Sequence, residues 1–145
     1  MWRELITNLP VEAEIAEPAS AADVDVIETQ LGQTVPADLK ALLLETNGVV
    51  DQYGTDVVWP AEKIAAENAD FRTRADFNEL YMPFIPLMFF GDNGGGDQFA
   101  FVRQPERTDV FVWEHETDSR RMVTGTLEQY VVRALESEGE DWYQQ

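Results

Sequence analysis

Cysteine is absent from this chain, which removes disulfides and thiolate-held metals from consideration. His115 is the only histidine, so a zinc site built on paired imidazoles lacks its second member. Basic residues are scarce: 10 against 28 acids, for a formal charge of -18. Between Arg3 and Lys40 the chain carries Glu4, Glu12, Glu14, Glu17, Asp23, Asp25, Glu28 and Asp38 and no base. Nucleic acid is therefore not an expected ligand, since phosphate recognition needs clustered Lys and Arg. An anionic membrane surface is disfavoured for the same reason. Long apolar runs are missing too. The longest, Met82 to Phe90, is interrupted by Pro83 and Pro86 and falls short of the roughly 18 residues that suggest a membrane span. The opening Met1-Trp2-Arg3-Glu4-Leu5 lacks a long apolar signal core. A soluble cytoplasmic protein is the expectation.

What is present supports a packed interior. The 145 residues suit one domain spanning 1–145. With 44% hydrophobic and 11% aromatic residues, global disorder is not expected. The acidity admits two readings: an electronegative face that steers a basic partner into contact, or a compositional habit such as adaptation to a salty cytoplasm. The bases, eight Arg and two Lys, fit the second reading equally well.

Helices dominate the first half. Trp2 to Leu9 reads as a short helix ended by Pro10, and residues 11–19 as a polar connector. Ser20 is a candidate N-cap for a helix with Val24, Ile27 and Leu31 on one face and Gly32 as its stop. Pro36 is placed as the first helical residue of the next, with Leu39, Leu42 and Leu43 as its buried stripe and Asn47-Gly48 as its end. Strands dominate the second half. Thr55–Trp59, Ile85–Phe90, Asp97–Val102, Asp109–Trp113 and Arg121–Thr124 read as strands. Pro60 opens a helix to about Asn68, and a helical turn is placed at Phe77–Tyr81. Thr126-x-x-Gln129 is a candidate capping box for a last helix with Leu127, Tyr130, Val131, Ala134 and Leu135 on one face. The tail is expected to fray, with docking of Trp142 and Tyr143 as the alternative. This order predicts an α+β fold, with a mainly antiparallel sheet of about four to five strands flanked by helices.

Three segments together carry a family resemblance. The first runs from Leu31-Gly32 through Pro36 to Asn47-Gly48. The second is Phe90-Gly91-Asp92-Asn93-Gly94-Gly95-Gly96-Asp97-Gln98-Phe99. The third is Val110-Phe111-Val112-Trp113-Glu114-His115-Glu116. In this order they resemble the SUKH superfamily, the Smi/Knr-like group, over about residues 20–135, with Thr126–Leu135 as the closing helix. The first 19 and last ten residues lie outside the match, and 61–82 is less typical. The resemblance implies an antiparallel sheet flanked by helices. It also implies one of two roles: immunity proteins that bind and neutralise toxin domains, often nucleases, or interaction hubs in cell-wall signalling. It brings no catalytic residue set.

The same motifs can be weighed as chemistry. Gly94, Gly95 and Gly96 suit a tight reversal between strands. A phosphate cradle does not fit, because Phe99 stands where a GxGxxG pattern needs its last glycine and Asp92 and Asp97 would repel phosphate. Calcium at Asp92, Asn93 and Asp97 lacks the EF-hand spacing, and Asp92 and Asn93 suit bonds to their own loop backbone. In Glu114-His115-Glu116, an extended chain sends the two acids one way and His115 the other, which reads as a hairpin end with solvated charges and a partly packed His. Ser20, Ser119 and Ser137 sit in no nucleophile elbow. Trp59 and Trp113 read as core.

No cofactor and no metal are expected, and no enzyme activity. The leading expectation is a protein-binding module, an immunity protein that occludes a basic toxin domain. Its candidate contact residues are Gly91, Asp92, Asn93, Gly94, Gly95, Gly96, Asp97, Trp113, Glu114, His115 and Glu116. The alternatives are a regulatory or scaffold module with no toxin partner, or a small hydrolase using Asp92, Asp97, Glu114 or Glu116.

Overall fold

Local signals start the helices. In the computed structural model, which describes residues 1–144, Ser20 and Asp23 form a reciprocal box: each side chain accepts from the other's amide at 3.1 Å. That box opens α2 (Ala21–Leu31), after α1 (Trp2–Thr7). Pro36 stands at the N-cap of α3 (Ala37–Leu43), one position before the first helical residue. α3 ends at Leu43, before Asn47-Gly48. Asn47 acts elsewhere. Its side chain accepts from the Ala61 amide at 2.8 Å and so caps the helix that follows Pro60. Thr126 accepts from the Gln129 amide at 3.1 Å, while the Gln129 side chain accepts from Gly125, not from the cap residue.

The fold is α+β with antiparallel pairing, as expected, and among the described residues its seven strands are divided between two sheets, of three and four strands, where one sheet of about four to five was expected. β1 (Ala13–Ile15), β2 (Val49–Asp51) and β3 (Asp56–Val58) make the smaller one. β1 lies within residues 11–19, expected to be a connector. Its pairing with β2 brings Ala13 opposite Asp51 and Ile15 opposite Val49. The larger sheet is a meander of β4 (Leu87–Asp92), β5 (Gln98–Arg103), β6 (Glu106–Glu114) and β7 (Ser119–Thr124), in that order. The Trp59 amide donates to the Phe90 carbonyl at 2.7 Å and joins the end of β3 to β4.

α4 (Ala61–Thr73) continues past Asn68. Asn68 is buried, with its amide nitrogen on the Ile64 and Phe89 carbonyls and its oxygen on the Phe89 amide. A polar residue that reads as a helix end is thus a bolt between α4 and β4. α5 (Ala75–Leu80) follows after an extended Arg74, and α6 (Leu127–Glu136) is the last α-helix among the described residues. Among the described residues, no helix is long and apolar enough to cross a membrane.

Alternation along β4 sends Phe89 and Phe90 to opposite faces. Phe89 packs with Phe71, Phe84 and Trp113 at ring distances of 5.3, 5.6 and 5.8 Å. Phe90 packs with Phe101 and Tyr130 at 4.8 and 5.1 Å. Both faces of the larger sheet are therefore covered, as the apolar residues on both sides of β5 require. Each fully buried Phe or Leu contributes roughly 1.5–3 kcal/mol.

Candidate functional site

The β4–β5 turn is built by its own side chains. Asp92 accepts from the Gly94 amide at 2.7 Å, and Asn93 accepts from the Gly95 and Asp97 amides at 2.8 and 3.1 Å. These are short-range side-chain turns of the kind expected for Asp and Asn. Gly94 and Gly96 take φ of 81° and 112°, where a Cβ is strained. Gly96 is doubly constrained, since a Cβ there would lie 2.8 Å from the His115 ring. Gly91 serves another purpose. A Cβ on it would stand 2.1 Å from the Val57 carbonyl oxygen, the same oxygen that accepts the Tyr130 hydroxyl at 2.6 Å. Only a residue without a side chain lets β3 and α6 converge on β4 there.

The turn's outer atoms face other elements. Asp92 also accepts from the Trp59 indole at 2.7 Å, with the Lys63 ammonium 3.9 Å away. Asp97 is buried. One of its oxygens receives the His115 amide at 3.1 Å and the His115 Nδ1 at 2.7 Å, and the other receives the Tyr143 hydroxyl at 2.6 Å. An ionised carboxylate only accepts, so Nδ1 carries the proton in that contact. Burial pushes the Asp97 carboxyl up, but the Tyr143 hydroxyl and the His115 ring and amide outweigh it and hold the group below the usual carboxylate range. Burial, then the bond to Asp97, pushes the Tyr143 phenol up.

Two sequence-level placements change here. The chain leaves β6 at Glu114, so the alternation expected through Glu116 fails. Glu114 pairs with Arg121 at 2.9 Å, while a Glu116 oxygen lies 4.0 Å from His115 Nε2. The acids are split, and His115 sits with Asp97 and Glu116. Trp113 is not part of this constellation. It points to the opposite face of the larger sheet, 5.2 Å from Phe84, with its indole on Asp118 at 2.8 Å.

The tail completes the site. Tyr143 is buried, and Trp142 stacks on Phe99 at 5.8 Å and 7°. Asn93 donates to the Tyr143 hydroxyl at 2.7 Å and to Asp141 at 3.3 Å, and Arg121 donates to the Tyr143 carbonyl at 2.6 Å. The docking alternative for Trp142 and Tyr143 holds, and the expected fraying gives way. No sequence pattern pairs Tyr143 with Asp97, 46 positions apart. Aromatic character near the end of the chain is the one available signal. Between the turn, the β2–β3 hairpin and the tail lies a cavity of about 280 Å³. Its lining among the described residues includes Asp51, Asp92, Glu138, Glu140 and Asp141 and no base. Among the described residues, no group of three or more His, Asp or Glu side chains is placed to hold a metal ion.

The sequence model of the SMI1 / KNR4 family (SUKH-1) matches residues 18–133. The chain belongs to this family. The SMI1/KNR4 match covers α2 through most of α6, including the β4–β5 turn and the whole four-stranded meander. α1, β1 and the tail that fastens onto Asp97 lie outside it. No curated protein matches the sequence.

Proposed function

We propose that this SMI1/KNR4-family protein is a non-enzymatic binding module, an immunity protein that neutralises a basic toxin domain, such as a nuclease, in the cytoplasm by covering its substrate surface. One observation carries the reading: the end of the molecule that displays the β4–β5 turn is acid-rich, and its bases are already committed. Glu116, Glu138, Glu140 and Asp141 are exposed there. Lys63 is held by Asp56 at 3.1 Å and lies 4.9 Å over the Trp59 ring. Arg121 is held by Glu114 and the Tyr143 carbonyl, and Arg133 lies 4.7 Å over Trp142. The net charge of -18 thus has an outlet on this face, suited to steering a basic surface into register.

The hydrolase alternative is poorly supported. A general acid needs a raised carboxyl pKa, whereas Asp97 is held low and both its oxygens are occupied.

The test is association with a basic nuclease-type toxin domain, the first choice being the product of any toxin gene found beside this one, measured against salt. Replacing Glu116, Glu138 and Glu140 together by Gln lowers the association rate about tenfold at low ionic strength and little at high ionic strength. A rate indifferent to salt and to these changes refutes the electrostatic docking. Absence of toxin binding, with specific capture of a different basic protein, moves the reading to a regulatory or scaffold module.

A further inference from the structure

The chain after α6 is held firmly at two points, and between them only by the Glu140 amide on the Ser137 carbonyl at 3.1 Å and the Asn93–Asp141 contact at 3.3 Å. At the far point, Trp142 stacks on Phe99 beneath Arg133, and Tyr143 is bonded to Asp97, Asn93 and Arg121. At the near point, Ser137 leaves α6, its hydroxyl on the Ala134 carbonyl at 2.7 Å. Between them Glu138, Gly139, Glu140 and Asp141 are exposed. Glu138, a residue with a Cβ, is held at φ 56°, a conformation that costs energy. Beneath this stretch is the cavity of about 280 Å³, with Glu138, Glu140 and Asp141 lining one side and Asp51 and Asp92 the other. Five acids thus line one cavity with no base among the described residues of its lining, and Lys63, 3.9 Å from Asp92, offsets only one of them. The repulsion acts against the closed arrangement and weakens as salt screens it.

We propose that residues 137–144 form a strap under electrostatic tension, which opens as a unit while the rest of the molecule stays folded. Opening uncovers the Phe99 and Tyr130 rings, now 2% and 0% exposed. It also strips Asp97 of its phenol donor and Asn93 of a partner, so the β4–β5 turn loses its outer fastening. The strap thereby controls the shape of that turn, whatever partner docks there.

Hydrogen exchange on the whole chain tests this. The Trp142 and Gln144 amides bond to Glu140 and Asp141 within the strap, in a single turn with no stability of its own. In the wild type they should exchange about 100-fold faster than the β5 amides of Phe99–Phe101. Raising salt from about 20 mM to about 0.5 M should slow strap exchange about threefold, because the closed state loses its repulsion. Trp142→Ala should speed strap exchange further with β5 unchanged, and Glu138→Gln with Glu140→Gln should mimic salt. Strap amides as protected as β5, parallel changes in both, or strap exchange indifferent to salt and to the Gln pair would each overturn the proposal.

Discussion

The two faces of the four-stranded sheet are closed in different ways. On one, Trp113 packs among Phe71, Phe84 and Phe89, and Asp118 ties the corner by accepting from the Trp113 indole, the Met82 amide and Arg120. Every one of these residues lies within the family match. On the other, α6 supplies Tyr130, and the seal over Phe99 comes from Trp142 and Tyr143, outside the match. Asp97 is this face's counterpart of Asp118: a carboxylate at a strand end that gathers an aromatic donor, a backbone amide and a basic side chain. The first face is fastened by an arginine and a tryptophan from within the sheet, the second by a histidine and a tail. The same device thus serves a permanent closure on one side and a removable one on the other.

The contrast can be broken in order of effect. Phe89→Ala, in the heart of the first face, should cost about 3–5 kcal/mol in urea unfolding, whereas Trp142→Ala, half-buried on the second, should cost less than half as much. Equal losses would mean the tail is as integral as the core. Gly91→Ala should cost about 2–3 kcal/mol, because its Cβ would meet the Val57 carbonyl backbone and cannot be relieved by a rotamer change; thermal melts that match wild type would disprove the close approach. Asp118→Ala leaves the Trp113 indole and the Met82 amide without their acceptor and should cost about 2 kcal/mol. Tyr143→Phe removes one bond to Asp97 and should cost about 1 kcal/mol, with the near-ultraviolet signal of the first face unchanged.

Acid sharpens the same comparison. Burial raises the Asp118 carboxyl, but the Met82 amide, the Trp113 indole and Arg120 outweigh it, so Asp118, like Asp97, is held low. A carboxyl whose folded pKa is depressed contributes stability that is complete above its unfolded value of about 3.9 and is lost as pH falls through the folded one. Stability should therefore decline below about pH 4. Replacing either residue with Asn should flatten that decline; unfolding midpoints across the acid range that keep the wild-type slope in both variants would contradict the assignment.

Legibility follows the range of the interaction. The Ser20 cap, the Asp92 and Asn93 turns and the α6 stripe are encoded by residues a few positions apart, and each is recognisable from spacing, whereas the reciprocal bond from Asp23 emerges only in the structure. β1 and β2 are three-residue strands that exist because they pair with each other, so neither carries its own periodic signal. Asn68 reads as a helix stop until β4 is there to accept it. Proximity along the chain and strand alternation both group Trp113 with His115, and it is the end of β6 at Glu114 that parts them and leaves the Trp113 ring on the other face.

The order of amino acids alone determined the acidic balance, the helix starts at Ser20 and Thr126, the strands of the meander and a glycine turn flanked by acids, because composition, caps and turn bonds act over a few neighbouring residues. Only the tertiary structure decided that Asp97 would face Tyr143, that Gly91 would admit the Val57 carbonyl, and that acids from three separate segments would share one cavity. Those arrangements depend on where distant segments meet, and local preference does not specify that meeting.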